Sequence, residues 1–136
     1  NGRTPMQWNS NEQAGFTTSK PWLAVNENYK KLNVQEQEDR PDSVLNYFRK
    51  MIQLRKNNLT LIYGAFELID ENNKQIFAYA RQLDNEKLLI VLNFSNTEAI
   101  LTTNQDISKA KMLICNYEEA SDNHLFKPYE AVIYKL

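Results

Sequence analysis

A chain of 136 residues has room for one moderate hydrophobic core, or for a small domain with an attached segment. Its 16 Lys and Arg nearly balance 17 Asp and Glu, for a net charge of −1 with no basic block, so neither nucleic acid nor an anionic membrane is indicated as a partner. A single cysteine, Cys115, rules out an internal disulfide and favours a reducing cytoplasm, and with His124 as the lone histidine no zinc or iron site is expected.

The chain opens on Asn1-Gly2-Arg3-Thr4-Pro5-Met6-Gln7-Trp8, followed by Ala14-Gly15-Phe16-Thr17-Thr18 and Lys20-Pro21-Trp22-Leu23. This run has neither helical nor strand period. Gly and Pro impose unusual backbone angles, while Trp and Arg offer flat faces and forked donors suited to polar rings such as sugars. We read it as a shaped loop; a plain packed surface loop is the competing reading. The chain does not start with Met and begins inside a dense motif, so an excised carboxyl-terminal portion of a longer protein is expected. The polar run Gln35 to Arg40 reads as a solvated bridge.

Pro41-Asp42-Ser43 offers a helix start, with Asp or Ser as cap. From Val44 to Lys56 the residues Val44, Tyr47, Phe48, Met51, Ile52 and Leu54 share one face, and Arg55 and Lys56 complement the negative helix end. Extended segments follow at Ala65 to Ile69, Gln75 to Arg81, Lys87 to Phe94, Glu98 to Thr102, Lys111 to Cys115 and Tyr129 to Lys135. Asp70-Glu71-Asn72-Asn73 and Leu83-Asp84-Asn85-Glu86 read as hairpin connections. The run Leu88 to Leu92 does not alternate, which predicts a central strand buried on both faces, and it is far too short to span a bilayer. In the last strand Ala131 and Ile133, or their neighbours, face inward. Short strands at roughly ten-residue intervals predict an antiparallel sandwich.

The opening motif, the Pro21 to Tyr29 run, Ser43 to Lys56, Phe77 to Arg81, Ile90 to Ser95 and Pro128 to Ala131 closely resemble the α-glucosidases of the α-amylase superfamily, glycoside hydrolase family 13. The nearest groups are the oligo-1,6-glucosidases and their dextran-glucosidase and trehalose-6-phosphate hydrolase cousins. The resemblance implies a mainly β fold: an irregular loop and one amphipathic helix from the end of a (β/α)8 barrel over residues 1–58, then a β-sandwich over 59–136. It places Arg3 in the wall of the sugar pocket, with Gln7 and Trp8 shaping its rim. The family motif usually has Asp after the tryptophan, where this chain has Asn9.

Glycoside hydrolysis with retention needs two carboxyl groups about 5 Å apart. Nothing in the sequence announces such a pair, and the resemblance assigns the catalytic carboxylates to barrel strands preceding residue 1. Glu12, Glu36, Glu38, Asp39, Asp42, Glu118, Glu119 and Asp122 lie in polar runs that read as solvated surface. No catalytic residue, metal ligand or cofactor is assigned, and the chain alone is expected to be inactive. Its expected partners are an oligosaccharide in the intact enzyme, the barrel, and a second copy of the fragment through exposed apolar surface. The alternatives are a glucan-binding sandwich gripping sugar through Tyr117, Phe126 or Tyr129, a purely structural domain, and the tail of a trehalose-6-phosphate hydrolase or dextran glucosidase.

Overall fold

The computed structural model describes residues 2–136, so Asn1 of the opening motif lies outside the described residues. Two compact units divide the chain, one up to Lys50 and the other from Met51 onward.

The first unit consists mostly of turns. Tight 3-10 turns at Glu12–Gly15 and Glu27–Lys30 precede the short helix α1, Val34–Glu38. Helix α1 falls where the sequence suggested a polar bridge. It forms because Asn33 caps it: Asn33 Oδ1 accepts from Glu36 N at 3.0 Å, while its Nδ2 donates to the Tyr29 carbonyl at 2.9 Å. Helix α2, Val44–Asn57, starts where the sequence placed it. Ser43 is the cap, accepting at Oγ from Asn46 N at 3.2 Å, and Asp42 instead pairs with Arg40 at 3.1 Å. None of the residues of α2 is buried, and its apolar stripe faces solvent, with Val44 80% and Phe48 57% exposed.

The second unit opens with a five-residue helix, α3 (Leu59–Tyr63), whose cap Asn58 accepts from Leu61 N at 3.0 Å. The strands are β1 (Ala65–Ile69), β2 (Ile76–Leu83), β3 (Glu86–Asn93), β4 (Ala99–Ile100), β5 (Lys111–Cys115), β6 (Leu125–Phe126) and β7 (Ala131–Lys135). Five form an antiparallel sheet in the order β1-β2-β3-β7-β5, and β4 pairs with β6 as a separate ribbon. The central strand is β3, as its unbroken apolar run requires, and Leu88, Leu89, Ile90 and Val91 are all buried.

Register explains the core. Ala78 pairs with Val91 and Val91 with Val132, while Leu89 pairs with Ala80 and Tyr134, so these residues share one face of the pleat. Ile76, Ala78, Leu89, Val91, Val132 and Tyr134 meet Ala99, Leu101, Ile107 and Phe126 from the ribbon and its connecting loops. In β7 the inward positions are thus Val132 and Tyr134, the neighbours of Ala131 and Ile133. Each large apolar side chain fully buried here contributes about 1.5–3 kcal/mol.

Two buried polar residues brace the loops around this core. Asn93 donates to the carbonyls of Thr97 and Lys127 and accepts from Ser95 N at 2.9 Å. The Glu130 carboxylate, with no exposed surface, accepts from Ser121 N (2.8 Å), Ser121 Oγ (2.7 Å) and Lys127 N (2.8 Å). Such a group is tolerated inside because its lone pairs are satisfied.

Candidate functional site

Burial alternates along the opening motif: Pro5 is buried, Met6 exposed, Gln7 half-buried and Trp8 exposed. Pro5 and Gln7 therefore anchor the segment, while Met6 and Trp8, each 49% exposed, face away. Arg3 is exposed. A shallow open depression of about 260 Å³ is lined by Thr4, Pro5, Met6 and Gln7 on one side and by Leu32, Asn33, Val34 and Gln37 on the other. The structure brings Gln7 into this depression, and neither Arg3 nor Trp8 lines it.

The backbone here is fixed from two sides. Val34 N donates to the Gln7 carbonyl at 2.9 Å and Gln35 N to the Trp8 carbonyl at 3.0 Å. On the other flank, Trp8 N and Asn9 N both donate to the Ala14 carbonyl, at 2.9 and 3.2 Å. That carbonyl is turned toward them by a left-handed stretch with φ of 52° at Gln13, 57° at Ala14 and 66° at Gly15. Two of those three are not glycine, so the conformation is strained and is held by its surroundings. Asn9, where the family motif usually has Asp, accepts at Oδ1 from Asn11 N at 3.0 Å. An Asp carboxylate can accept the same hydrogen bond, since both residue types close such a turn.

Several acidic residues are in surface ion pairs or turns, and the buried Glu130 carboxylate is taken up by donors from Ser121 and Lys127. Glu38 is held by Arg49 through two contacts of 2.5 and 2.6 Å, and the hydrogen bond to that guanidinium keeps its carboxyl below the ordinary value. Asp42, Asp70, Glu86 and Asp106 are likewise shifted downward by hydrogen-bond donors. A glycosidic general acid needs the opposite, a proton affinity raised by burial or by a second carboxylate. Burial pushes the Cys115 thiol up, away from nucleophilic character. His124 Nε2 donates to the Gln105 carbonyl at 2.9 Å. Among the described residues no group of three or more His, Cys, Asp and Glu is placed to hold a metal ion, and no helix is long and apolar enough to cross a membrane.

Of the aromatics named for a glucan-gripping face, Tyr129 is exposed and Tyr117 partly so, but Phe126 is 0% exposed. Phe126 lies on β6 opposite Ala99 and fills the core, so it is unable to stack on a sugar. The polar framework behind the motif, Asn28, Asn33 and Gln37, was missed. Its sequence trace is Asn33-Val34-Gln35-Glu36, a cap residue followed three positions later by Glu, which marks a helix start.

Residues 1–64 match the family model for the alpha-amylase catalytic domain, and residues 76–133 match that for the alpha-amylase SusG C-terminal domain. With relatives matching along its whole length, the chain belongs to the α-amylase superfamily, glycoside hydrolase family 13. Within it the chain is oligo-1,6-glucosidase-like: it is 46% identical over 141 residues to the oligo-1,6-glucosidase of Bacillus cereus, covering 100% of this chain and 25% of that protein. It is 39% identical to the trehalose-6-phosphate hydrolase of Bacillus subtilis (strain 168), covering 100% of this chain and 25% of that protein. Among solved structures, the trehalose-6-phosphate hydrolase of Bacillus licheniformis superposes with a TM-score of 0.88 at 38% identity, over 99% of this chain and 26% of that one. An isomaltulose synthase mutant from Erwinia rhapontici NX5, in complex with D-glucose, superposes at 0.91 and 38% identity, over 100% of this chain and 25% of that one. The chain spans about a quarter of the length of the curated relatives it matches.

Proposed function

We propose that this chain is the carboxyl-terminal part of an α-glucosidase that removes terminal α-linked glucose from short isomalto- or malto-oligosaccharides. The observation carrying this reading is the opening motif: a strained, doubly braced loop with exposed Arg3 and Trp8, within the residues that match the catalytic-domain model. Residues 1–58 complete the catalytic barrel, with Arg3, Gln7 and Trp8 in the wall and rim of the sugar pocket. Residues 59–136 form a β-domain that supports the barrel. The catalytic carboxylates belong to the remainder of the enzyme, so the 136-residue chain alone is inactive. The exposed apolar stripe of α2 supports a covered position in the intact enzyme and self-association of the isolated chain. The lone cysteine, Cys115, supports a reducing cytoplasm.

The test is an assay of the full-length protein beside the isolated chain, with isomaltose, maltose and a chromogenic α-glucoside. Turnover by the full-length protein alone is the expected result; turnover by the isolated chain overturns the assignment of the carboxylates. Likeness to trehalose-6-phosphate hydrolases, at 38–39% identity, favours one second reading, in which the substrate is a phosphorylated disaccharide. Cleavage of trehalose 6-phosphate in preference to isomaltose selects it.

A further inference from the structure

Gln7 stands in the motif beside Arg3 and Trp8, but its amide nitrogen is tied to polar groups of this chain. Its Nε2 donates to Asn28 Oδ1 at 3.0 Å and to the Leu32 carbonyl. An amide nitrogen has two protons, so both are used, and none is left on that nitrogen for a sugar hydroxyl. The acceptors are themselves fixed. Asn28 sits in a turn whose N–H is held by Asn26 Oδ1 at 3.2 Å, and Leu32 precedes Asn33, which is 2% exposed and caps α1.

We propose that Gln7 is a positioning residue. Through Asn28 and Leu32 it fixes the register of the motif against the start of α1, so that Arg3 and Trp8 are presented to the sugar in one orientation, and Gln7 does not touch the sugar itself. This rests on the reading of the motif as a pocket wall. The backbone bonds from Val34 and Gln35 to the carbonyls of Gln7 and Trp8 are the register being fixed, and Gln7 is the side chain that keeps it from slipping. Orientation of this kind acts on the rate because a small misplacement of a binding group is costly in the transition state.

The experiment uses the full-length protein with Gln7→Leu, Asn28→Ala and the double variant. It measures kcat and KM on a chromogenic α-glucoside, and hydrogen exchange of the Val34 and Gln35 amides. Each single substitution is expected to lower kcat/KM roughly tenfold, chiefly through kcat, as loss of one or two hydrogen bonds allows. The double variant should be no worse than the weaker single one, and the two amides should exchange about tenfold faster on the usual scale for lost local protection. A Gln7→Leu loss with Asn28→Ala silent, or losses that multiply in the double variant, means that Gln7 contacts the sugar directly and overturns the proposal. If Gln7→Leu fails to fold, Asn28→Ala alone decides, since it removes one partner and leaves Gln7 in place. If the wild type cleaves no α-glucoside, the pocket reading fails by itself. The exchange measurement then judges the clamp: unaltered amides overturn it, and accelerated ones uphold it.

Discussion

The two units are held together by different forces. In the second, buried Leu88, Leu89, Val91, Phe126, Val132 and Tyr134 make an apolar core, and polar groups such as Asn93 and Glu130 serve the loops around it. Among the described residues of the first, Ala14 is the one buried hydrophobic residue, alongside Pro5, Asn33 and Ser43, so shape comes from caps, turns and side-chain hydrogen bonds. Hydrogen bonds give direction but little net stability, and burial gives stability with little direction. The sharpest way to break this comparison is Leu89→Ala in β3. Removing a fully buried leucine from the central strand should cost about 2–5 kcal/mol, read as a lowered urea midpoint of the chain. A loss below about 1 kcal/mol would mean that β3 is not the centre of the core.

If the first unit is built for geometry, its substitutions should register in activity before stability. Arg3→Ala in the full-length enzyme should reduce kcat/KM at least tenfold, the equivalent of about 1.5–3 kcal/mol for a charged contact made in the transition state. Its melting temperature should stay near that of the wild type, because Arg3 is exposed. A catalytic efficiency within about twofold of wild type removes Arg3 from the pocket wall.

How far each unit could be read from its residues follows from the same contrast. The unbroken apolar run of β3 is the trace of its burial; the strand-forming residue types of β1 and β5 and the Pro41-Asp42-Ser43 cap signal of α2 were legible too, although β1, β5 and α2 hold no buried residue. Hydrogen-bonded geometry leaves a fainter one. Helices α1 and α3, of five residues each, are too short for a helical period and are set by the asparagine caps Asn33 and Asn58. Strand β6 has two residues, and nothing local marks the pairing of Phe126 with Ala99 that takes this residue out of reach of a sugar. In the motif, the residue types announced a special loop, but the hydrogen bonds that tie down Gln7 depend on partners more than twenty positions away.

Gly15 tests the strained side of the first unit. At φ of 66° a side chain is disfavoured, and an added Cβ would lie 2.5 Å from Asn9 Nδ2 and 2.6 Å from Asn9 Oδ1. Gly15→Ala should cost about 1–2 kcal/mol of local stability. The consequence to measure is faster hydrogen exchange at Trp8 and Asn9, whose N–H groups bond to the Ala14 carbonyl, with a severalfold fall in kcat/KM. Unchanged exchange would show that the turn absorbs a methyl group, and that the motif is less tightly defined than its bonds imply.

The smallest expected effect lies in the second unit, at a cluster of polar side chains that resembles the first unit in kind. Glu86, in the β2–β3 hairpin, receives Lys135 Nζ at 2.6 Å, Thr60 Oγ1 at 2.5 Å and Asn58 Nδ2 at 3.2 Å, linking β3 to β7 and to the start of α3. The Lys135 hydrogen bond, followed by that from Thr60, holds its carboxyl below the ordinary value of 4.5. A depressed folded value means that the unfolded chain takes up the proton first as pH falls, so the stabilisation is complete above the ordinary value and is lost as pH drops through the folded one. With Lys135 about half exposed, solvent screening limits the contribution to about 1 kcal/mol or less. Wild type should therefore exceed Glu86→Gln in stability by that amount at neutral pH, and the gap should close in acid below the ordinary glutamate value. A gap that persists unchanged at low pH would assign the role of Glu86 to neutral hydrogen bonding through Thr60 and Asn58 rather than to its charge.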